Sequence, residues 1–178
     1  MQYTCRCGQF VAQIDTREGV RAVCYCNSCR EFAEKTGAVD ALDSAGGSDL
    51  YQVAPYLIQV IQGADQLTWM RLTPTGPLRW YTRCCKTPLA NTLASRSLPF
   101  ATLQSHRFAD PDALGPVICR VNRRFATDRV PDDGKGVGAL YRNFAARMLK
   151  SYLTGGWRRT PFFDEKGALI DPGGAVPD

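Results

Sequence analysis

Seven of the eight cysteines in this 178-residue chain fall into three short clusters, and this constrains the fold more than any other feature. Cys5 and Cys7 form a Cys-x-Cys pair. Cys24, Cys26 and Cys29 form a Cys-x-Cys-x-x-Cys run, and Cys84 and Cys85 are adjacent. A disulfide needs a Cα spacing and Cβ direction that residues this close in sequence seldom reach. Grouped thiolates suit a soft metal ion far better. The chain is therefore expected to draw separate stretches together around cations. Cys119 stands alone in an apolar stretch and reads as a core residue.

Zinc takes four ligands in a tetrahedron, with sulfur at about 2.3 Å. Cys5 and Cys7 can supply two of them, and Gly8 directly after them permits the tight turn such a pair needs. The remaining ligands must come from a distant strand, and Cys84 and Cys85 form a pair there. One site is thus expected from Cys5, Cys7 and one or both of Cys84 and Cys85, stapling the N-terminus to the strand before them. Neighbours on an extended strand point to opposite faces, which favours Cys85 over Cys84 as the ligand. The second set, Cys24, Cys26 and Cys29, has no obvious fourth partner, and His106 is far away in sequence. Three protein ligands and an open position describe a zinc that binds something, and an electron-rich trithiolate site suits another thiolate. The competing expectation is that both sets are purely structural.

Alternating and β-rich stretches at residues 9–14, 20–24, 56–61, 67–72, 78–82, 98–103 and 116–121 predict small antiparallel sheets. Turns fall at residues 17–19 and 73–77, and residues 45–48 read as a loop. A short helix is expected over residues 28–35, directly after the second cysteine cluster. Residues 1–131 form the expected zinc-binding β domain, and residues 132–178 a linker, a helix and an irregular tail. In that helix Val137, Leu140, Tyr141, Phe144, Ala145, Met148, Leu149, Tyr152 and Leu153 share one face by their spacing. Arg142, Arg147 and Lys150 fall away from it, and Gly155-Gly156 ends it. The apolar face predicts packing on the β domain or on a second copy of the chain. Pro161-Phe162-Phe163 is expected to anchor the tail.

Composition narrows the function classes. Hydrophobic residues make up 44% and charged residues 22%, as in ordinary globular domains. The net charge of +5 is spread out, without the basic stripe of a nucleic-acid binder. The opening residues lack the basic and apolar regions of a signal peptide, and no stretch approaches the roughly 20 apolar residues of a membrane span. A cytoplasmic, reducing location is expected, where thiols stay available for metal.

Cys5-Arg6-Cys7-Gly8, Cys24-Tyr25-Cys26-Asn27-Ser28-Cys29-Arg30 and the cysteine pair flanked by Tyr81 and Leu89 together resemble the glutathione-dependent formaldehyde-activating (GFA) family, the centromere protein V/GFA-type domain. The family's order is Cys-x-Cys-Gly, Cys-His-Cys-x-x-Cys-Arg and Phe-Cys-x-x-Cys-Gly, and the likeness spans roughly residues 4 to 91. Tyr25 stands in place of the common histidine, Thr82 in place of a cysteine and Lys86 in place of a glycine. The resemblance implies a β-tent fold with two zinc ions, one structural and one looser. It also implies a carbon–sulfur lyase acting on a glutathione–aldehyde adduct. Arg30, Arg79 and Arg83 are then the expected partners of glutathione carboxylates, since a guanidinium pairs with carboxylate in two-pronged geometry. The alternative is a non-catalytic zinc module that binds a partner or only supports the fold.

Overall fold

A computed structural model of the chain describes residues 1–132 and 136–171. Most of the expected linker at residues 132–136, and the last seven residues of the tail, lie outside the described residues. The fold is mainly β, with two sheets and a C-terminal helix. The strands are β1 (Gln2–Thr4), β2 (Val11–Ile14), β3 (Val20–Cys24), β4 (Ser48–Val53), β5 (Ile58–Gln62), β6 (Leu67–Met70), β7 (Leu78–Thr82), β8 (Pro88–Thr92), β9 (Ala101–Gln104) and β10 (Val117–Val121). Helix α1 (Asn27–Lys35) follows β3, and α2 (Gly136–Leu153) follows β10.

The smaller sheet has the order β1-β2-β5 and is antiparallel. The larger sheet runs β10-β3-β4-β9-β8-β7-β6. It is antiparallel except at one edge, where β10 lies parallel to β3 after the chain has crossed from β9. Each strand points alternate side chains to opposite faces. In the larger sheet Tyr51, Val53, Leu78, Trp80, Ala90, Ala101 and Leu103 point one way. They share one buried cluster with Tyr3, Phe10, Ala12 and Ile14 of the smaller sheet region. Phe162 and Phe163 join that cluster, as the expected tail anchor, with Phe162 tilted against Trp80 at 4.8 Å between ring centroids. Cys119 is buried on β10, in keeping with a core role.

The opposite face of the larger sheet is polar and still buried. Strands β4, β8 and β9 are covered on both sides, so their burial shows no alternation. This is why residues 45–48 read as loop when Ser48 in fact opens β4, and why β8 was not anticipated.

Helix α2 forms where its spacing predicts, but a different face turns inward. Arg147 and Ser151 are buried, while Val137, Tyr141, Leu149, Tyr152 and Leu153 are exposed. The physical reason lies in what the sheet offers. Arg147 donates to the Glu18 carbonyl at 3.1 Å and to Gln52 Oε1, and Lys150 pairs with Glu18. The buried Gln52 oxygen and the Glu18 carbonyl draw in Arg147, whose methylenes pack like an apolar side chain, while Lys150 meets Glu18 at the surface. Phe144 still packs edge-on against Phe100, 5.6 Å between centroids. No helix among the described residues is long and apolar enough to cross a membrane.

Candidate metal centre

The first cluster joins the N-terminal hairpin to the turn after β7. Cys5, Cys7, Cys84 and Cys85 place their sulfurs within 4.8 Å of one another. Gly8 has φ +76, which lets the chain double back so that its amide donates to the Cys5 carbonyl at 3.2 Å. The Phe10 amide donates to Cys5 Sγ at 3.3 Å. On the other side the chain turns back at Lys86, whose amide donates to the Thr82 carbonyl at 2.8 Å. That turn brings both adjacent thiols into the cluster, so they do not diverge as they would on an extended strand. Arg6 ties the halves together, its amide donating to Thr87 Oγ1 at 3.0 Å and its guanidinium to the Cys85 carbonyl at 2.8 Å.

The sulfur spacing fits a tetrahedral ion. Metal–sulfur bonds of about 2.3 Å place tetrahedral sulfurs roughly 3.8 Å apart. The observed separations are 3.6 Å for Cys5–Cys7, 3.9 Å for Cys5–Cys84, 3.4 Å for Cys7–Cys84 and 3.7 Å for Cys84–Cys85. Cys85 is drawn down to about 5: burial opposes ionisation, but the Thr82 and Thr87 hydroxyls near its sulfur outweigh it. These hydroxyls favour the thiolate form that a cation would take.

Lys86 holds φ +54, a left-handed conformation that costs a side-chain-bearing residue about 1–2 kcal/mol. Lys86→Gly removes that cost and adds unfolded-chain entropy of about 0.5–1 kcal/mol. The variant is expected to be more stable by roughly 0.5–1 kcal/mol. Urea denaturation of metal-loaded protein measures this, and a destabilised variant would contradict the turn geometry.

The second cluster sits where β3 ends and α1 begins. Cys24 closes the strand, Cys26 is the N-cap of the helix, and Cys29 lies in its first turn. Their three sulfurs lie within 4.8 Å of one another. Cys26 is drawn down to about 2, first by its hydrogen bond with Cys24 and then by that with Cys29. The same contacts push Cys24 and Cys29 up. The trio therefore already stabilises one thiolate, in the positive end of a helix dipole. Asn122 Nδ2 donates to Cys24 Sγ at 3.3 Å, and Arg79 donates to Cys29 Sγ at 3.6 Å.

This cluster opens on a cavity of about 230 Å³. Its wall is apolar, with Leu50, Phe100, Val121 and Leu140 of α2. Its floor is a row of polar side chains that the sheet register aligns across four strands. Gln52 pairs with Thr102, Thr102 with Asn91, and Asn91 with Arg79. All four are buried. A second, very small cavity of about 10 Å³ lies behind the cluster, between Cys29, Ser48, Gln104 and His106. His106 is remote in sequence but reaches this spot. Burial first, and then the Arg107 charge, lower it to about 4, so it is neutral at neutral pH.

The three arginines expected at a ligand divide. Arg79 is buried in the cavity wall, donating to Asn91 Oδ1 at 2.8 Å and Ser28 Oγ at 2.6 Å. It lies over Phe32, 5.8 Å from the ring centroid. Arg30 stands nearby, but its guanidinium is engaged by the Phe125 carbonyl and Asn27 Oδ1, both at 2.6 Å. Arg83 lies beside the four-cysteine cluster, exposed and paired with Asp171 at 2.5 Å. Tyr25 turns its hydroxyl to Asp43 Oδ2 at 2.8 Å. Gln52, Asn91 and Thr102 escape a reading of the sequence. Their only signal is a polar residue inside a short β stretch, which looks the same on a solvent-facing strand.

The model of a family described as "Family of unknown function (DUF6151)" matches residues 1–170. No curated protein matches the chain. The crystal structure of a Rhodobacter sphaeroides protein, a Northeast Structural Genomics target, is similar with a TM-score of 0.46 and 20% identity. The match covers 68% of this chain and all of that one.

Proposed function

This chain belongs to the DUF6151 family, and from its two cysteine clusters we propose that it is a two-zinc protein with one structural and one ligand-binding ion. The reading extends to a carbon–sulfur lyase acting on a thiol–aldehyde adduct, glutathione being the thiol that the GFA resemblance implies. One observation carries it: four sulfurs close one cluster completely, while three sulfurs of the other border a cavity.

Cys5, Cys7, Cys84 and Cys85 would hold the structural ion. Cys24, Cys26 and Cys29 would hold the other, which would keep an incoming thiol ionised near neutral pH. The residues around the second cluster do the rest. Arg79, at Cys29 Sγ, offsets the negative charge of the grouped thiolates. Leu50, Phe100, Val121 and Leu140 give the cavity an apolar wall against which the carbon chain of a ligand would pack. The reaction itself balances simply. A thiol sulfur bonds to the aldehyde carbon, the C=O π pair moves to oxygen, and the thiol proton ends on that oxygen; the lyase direction reverses this.

Metal analysis of purified protein is expected to give two zinc ions per chain, one leaving first under mild chelation. Cobalt in the three-cysteine cluster is expected to change its visible absorption when glutathione is added. Formaldehyde with glutathione should then form adduct faster than in buffer, as followed by NMR exchange. Two equally inert ions and no response to thiols would leave a purely structural module.

A further inference from the structure

The floor of the cavity has a direction. Arginine can only donate hydrogen bonds, so the amide atom facing each guanidinium must be oxygen. Arg79 therefore fixes Asn91 with Oδ1 toward itself and Nδ2 toward Thr102 Oγ1, at 2.9 Å. An amide nitrogen can only donate, so Thr102 accepts there and its own O–H must donate elsewhere. From the other end Arg147 fixes Gln52 with Oε1 toward α2, which leaves Nε2 as donor. Neither the Thr102 hydroxyl nor Gln52 Nε2 has an acceptor among the described residues. Gln52 and Thr102 are register partners on adjacent strands, and both line the cavity.

The charges agree with the hydrogen bonds. Arg79 and Arg147 are both buried, and neither forms an ion pair with a carboxylate among the described residues. The thiolates beside Arg79 offset one positive charge. No carboxylate touches Arg147 behind Gln52, and the Glu18 carboxylate that acts on it from a distance is already paired with Lys150. A buried cation without a counter-ion is costly, and a ligand that brings the missing negative charge recovers that cost.

We infer that Gln52 Nε2 and the Thr102 hydroxyl form a subsite for an anionic oxygen group, a carboxylate, at the far end of a small ligand in this cavity. The identity of the ligand's other end, a thiol, rests on the function proposed above; the donor pair does not. The volume holds about eight water-sized groups at roughly 30 Å³ each, so the enclosed ligand is short. The polar row crosses three strand spacings from Gln52 to Arg79, roughly 14 Å of backbone, and two from Thr102 to Arg79, roughly 10 Å; the Arg79 guanidinium in turn reaches Cys29 Sγ. The class that fits is a short ω-mercaptocarboxylate.

The test uses full-length, cobalt-loaded protein and ω-mercaptoalkanoates of three to six carbons against the matching ω-mercaptoalkanols. The best carboxylate is expected to bind at least tenfold more tightly than its alcohol. Thr102→Val and Gln52→Leu are each expected to shrink that ratio severalfold, with circular dichroism and metal content checking the fold. Thr102→Val keeps the side-chain shape and leaves Gln52 and Arg147 in place, so the test survives a misfolded Gln52→Leu. Equal affinity for acid and alcohol, or a ratio that neither variant changes, overturns the subsite. If no thiol perturbs the cobalt absorption, the thiol reading fails alone, and butyrate becomes the probe. A shift of the Gln52 side-chain amide resonances on butyrate titration then sustains the subsite, and unmoved resonances overturn it.

Discussion

Cys5→Ser is expected to cost this protein most of its stability, and Cys26→Ser comparatively little. Cys5 is buried at the meeting point of the N-terminal hairpin and the turn after β7, with Cys7 and Cys84 within 3.9 Å. These segments are 79 residues apart in sequence. Without an ion, they are tied by the hydrogen bonds of Arg6 to Thr87 and to the Cys85 carbonyl, and by the packing of Tyr3 and Phe10 in one core with Leu89. A structural zinc contributes apparent binding energy of about 10–16 kcal/mol in small peptides, comparable to the whole stability of a domain. Losing one of four ligands therefore threatens the staple itself. The melting temperature of Cys5→Ser is expected to fall by on the order of 10 °C or more, given roughly 2–4 °C per kcal/mol at this chain length. Cys26 lies at a helix start that the β3–β4 pairing and the α1 packing of Phe32 already hold. Cys26→Ser is expected to lose one ion and the thiol response, yet to melt within a few degrees of the parent. Scanning calorimetry with metal analysis checks both. Equal losses for the two variants would mean that both ions are structural.

The two clusters differ in how visible they are before folding, and the difference is one of sequence distance. Cys24, Cys26 and Cys29 lie within one turn of chain, so their convergence follows from local geometry alone. Cys5–Cys7 and Cys84–Cys85 could be matched because ligand number demands a second pair. That logic left the roles of Cys84 and Cys85 open. The left-handed Lys86 closes a turn that brings both of their sulfurs within 4.8 Å of those of Cys5 and Cys7. Lysine at that position carries no sequence signal for such a turn. Strands β3 and β7 were legible at their full extent, Val20–Cys24 and Leu78–Thr82, because turns bound each of them and one face is apolar. The buried strands β4, β8 and β9 were harder to place. Their second face carries Ser48, Gln52, Asn91, Thr102 and Gln104 into the interior, where polarity imitates exposure. Helix α2 shows the same effect from the other side. Its apolar stripe was plain, but the face that docks follows Gln52 and the Glu18 carbonyl, which periodicity does not report.

Arg79→Met is expected to weaken metal binding at the three-cysteine cluster by on the order of 10–100-fold, the range typical of lost outer partners. Three thiolates around a divalent ion carry a net charge of −1. Arg79 is 4% exposed and donates to Cys29 Sγ at 3.6 Å, so its charge meets that of the cluster in a poorly screened setting. The same side chain positions Ser28 and Asn91, through bonds of 2.6 and 2.8 Å. Methionine fills much of the volume but removes the charge and every donor. Arg79→Lys retains the charge without the fork that reaches Cys29, Asn91 and Ser28 together. It is expected to recover part of the affinity, separating charge from geometry. Cobalt competition gives the affinity, and the sulfur-to-cobalt absorption should shift as the Cys29 thiolate loses its donor. Cys5, Cys7, Cys84 and Cys85 lie outside the contacts of Arg79, so the four-cysteine ion serves as an internal control. A methionine variant that loses both ions equally would mark a folding defect. One that keeps full affinity and an unshifted spectrum would show that Arg79 does not set the charge of the cluster.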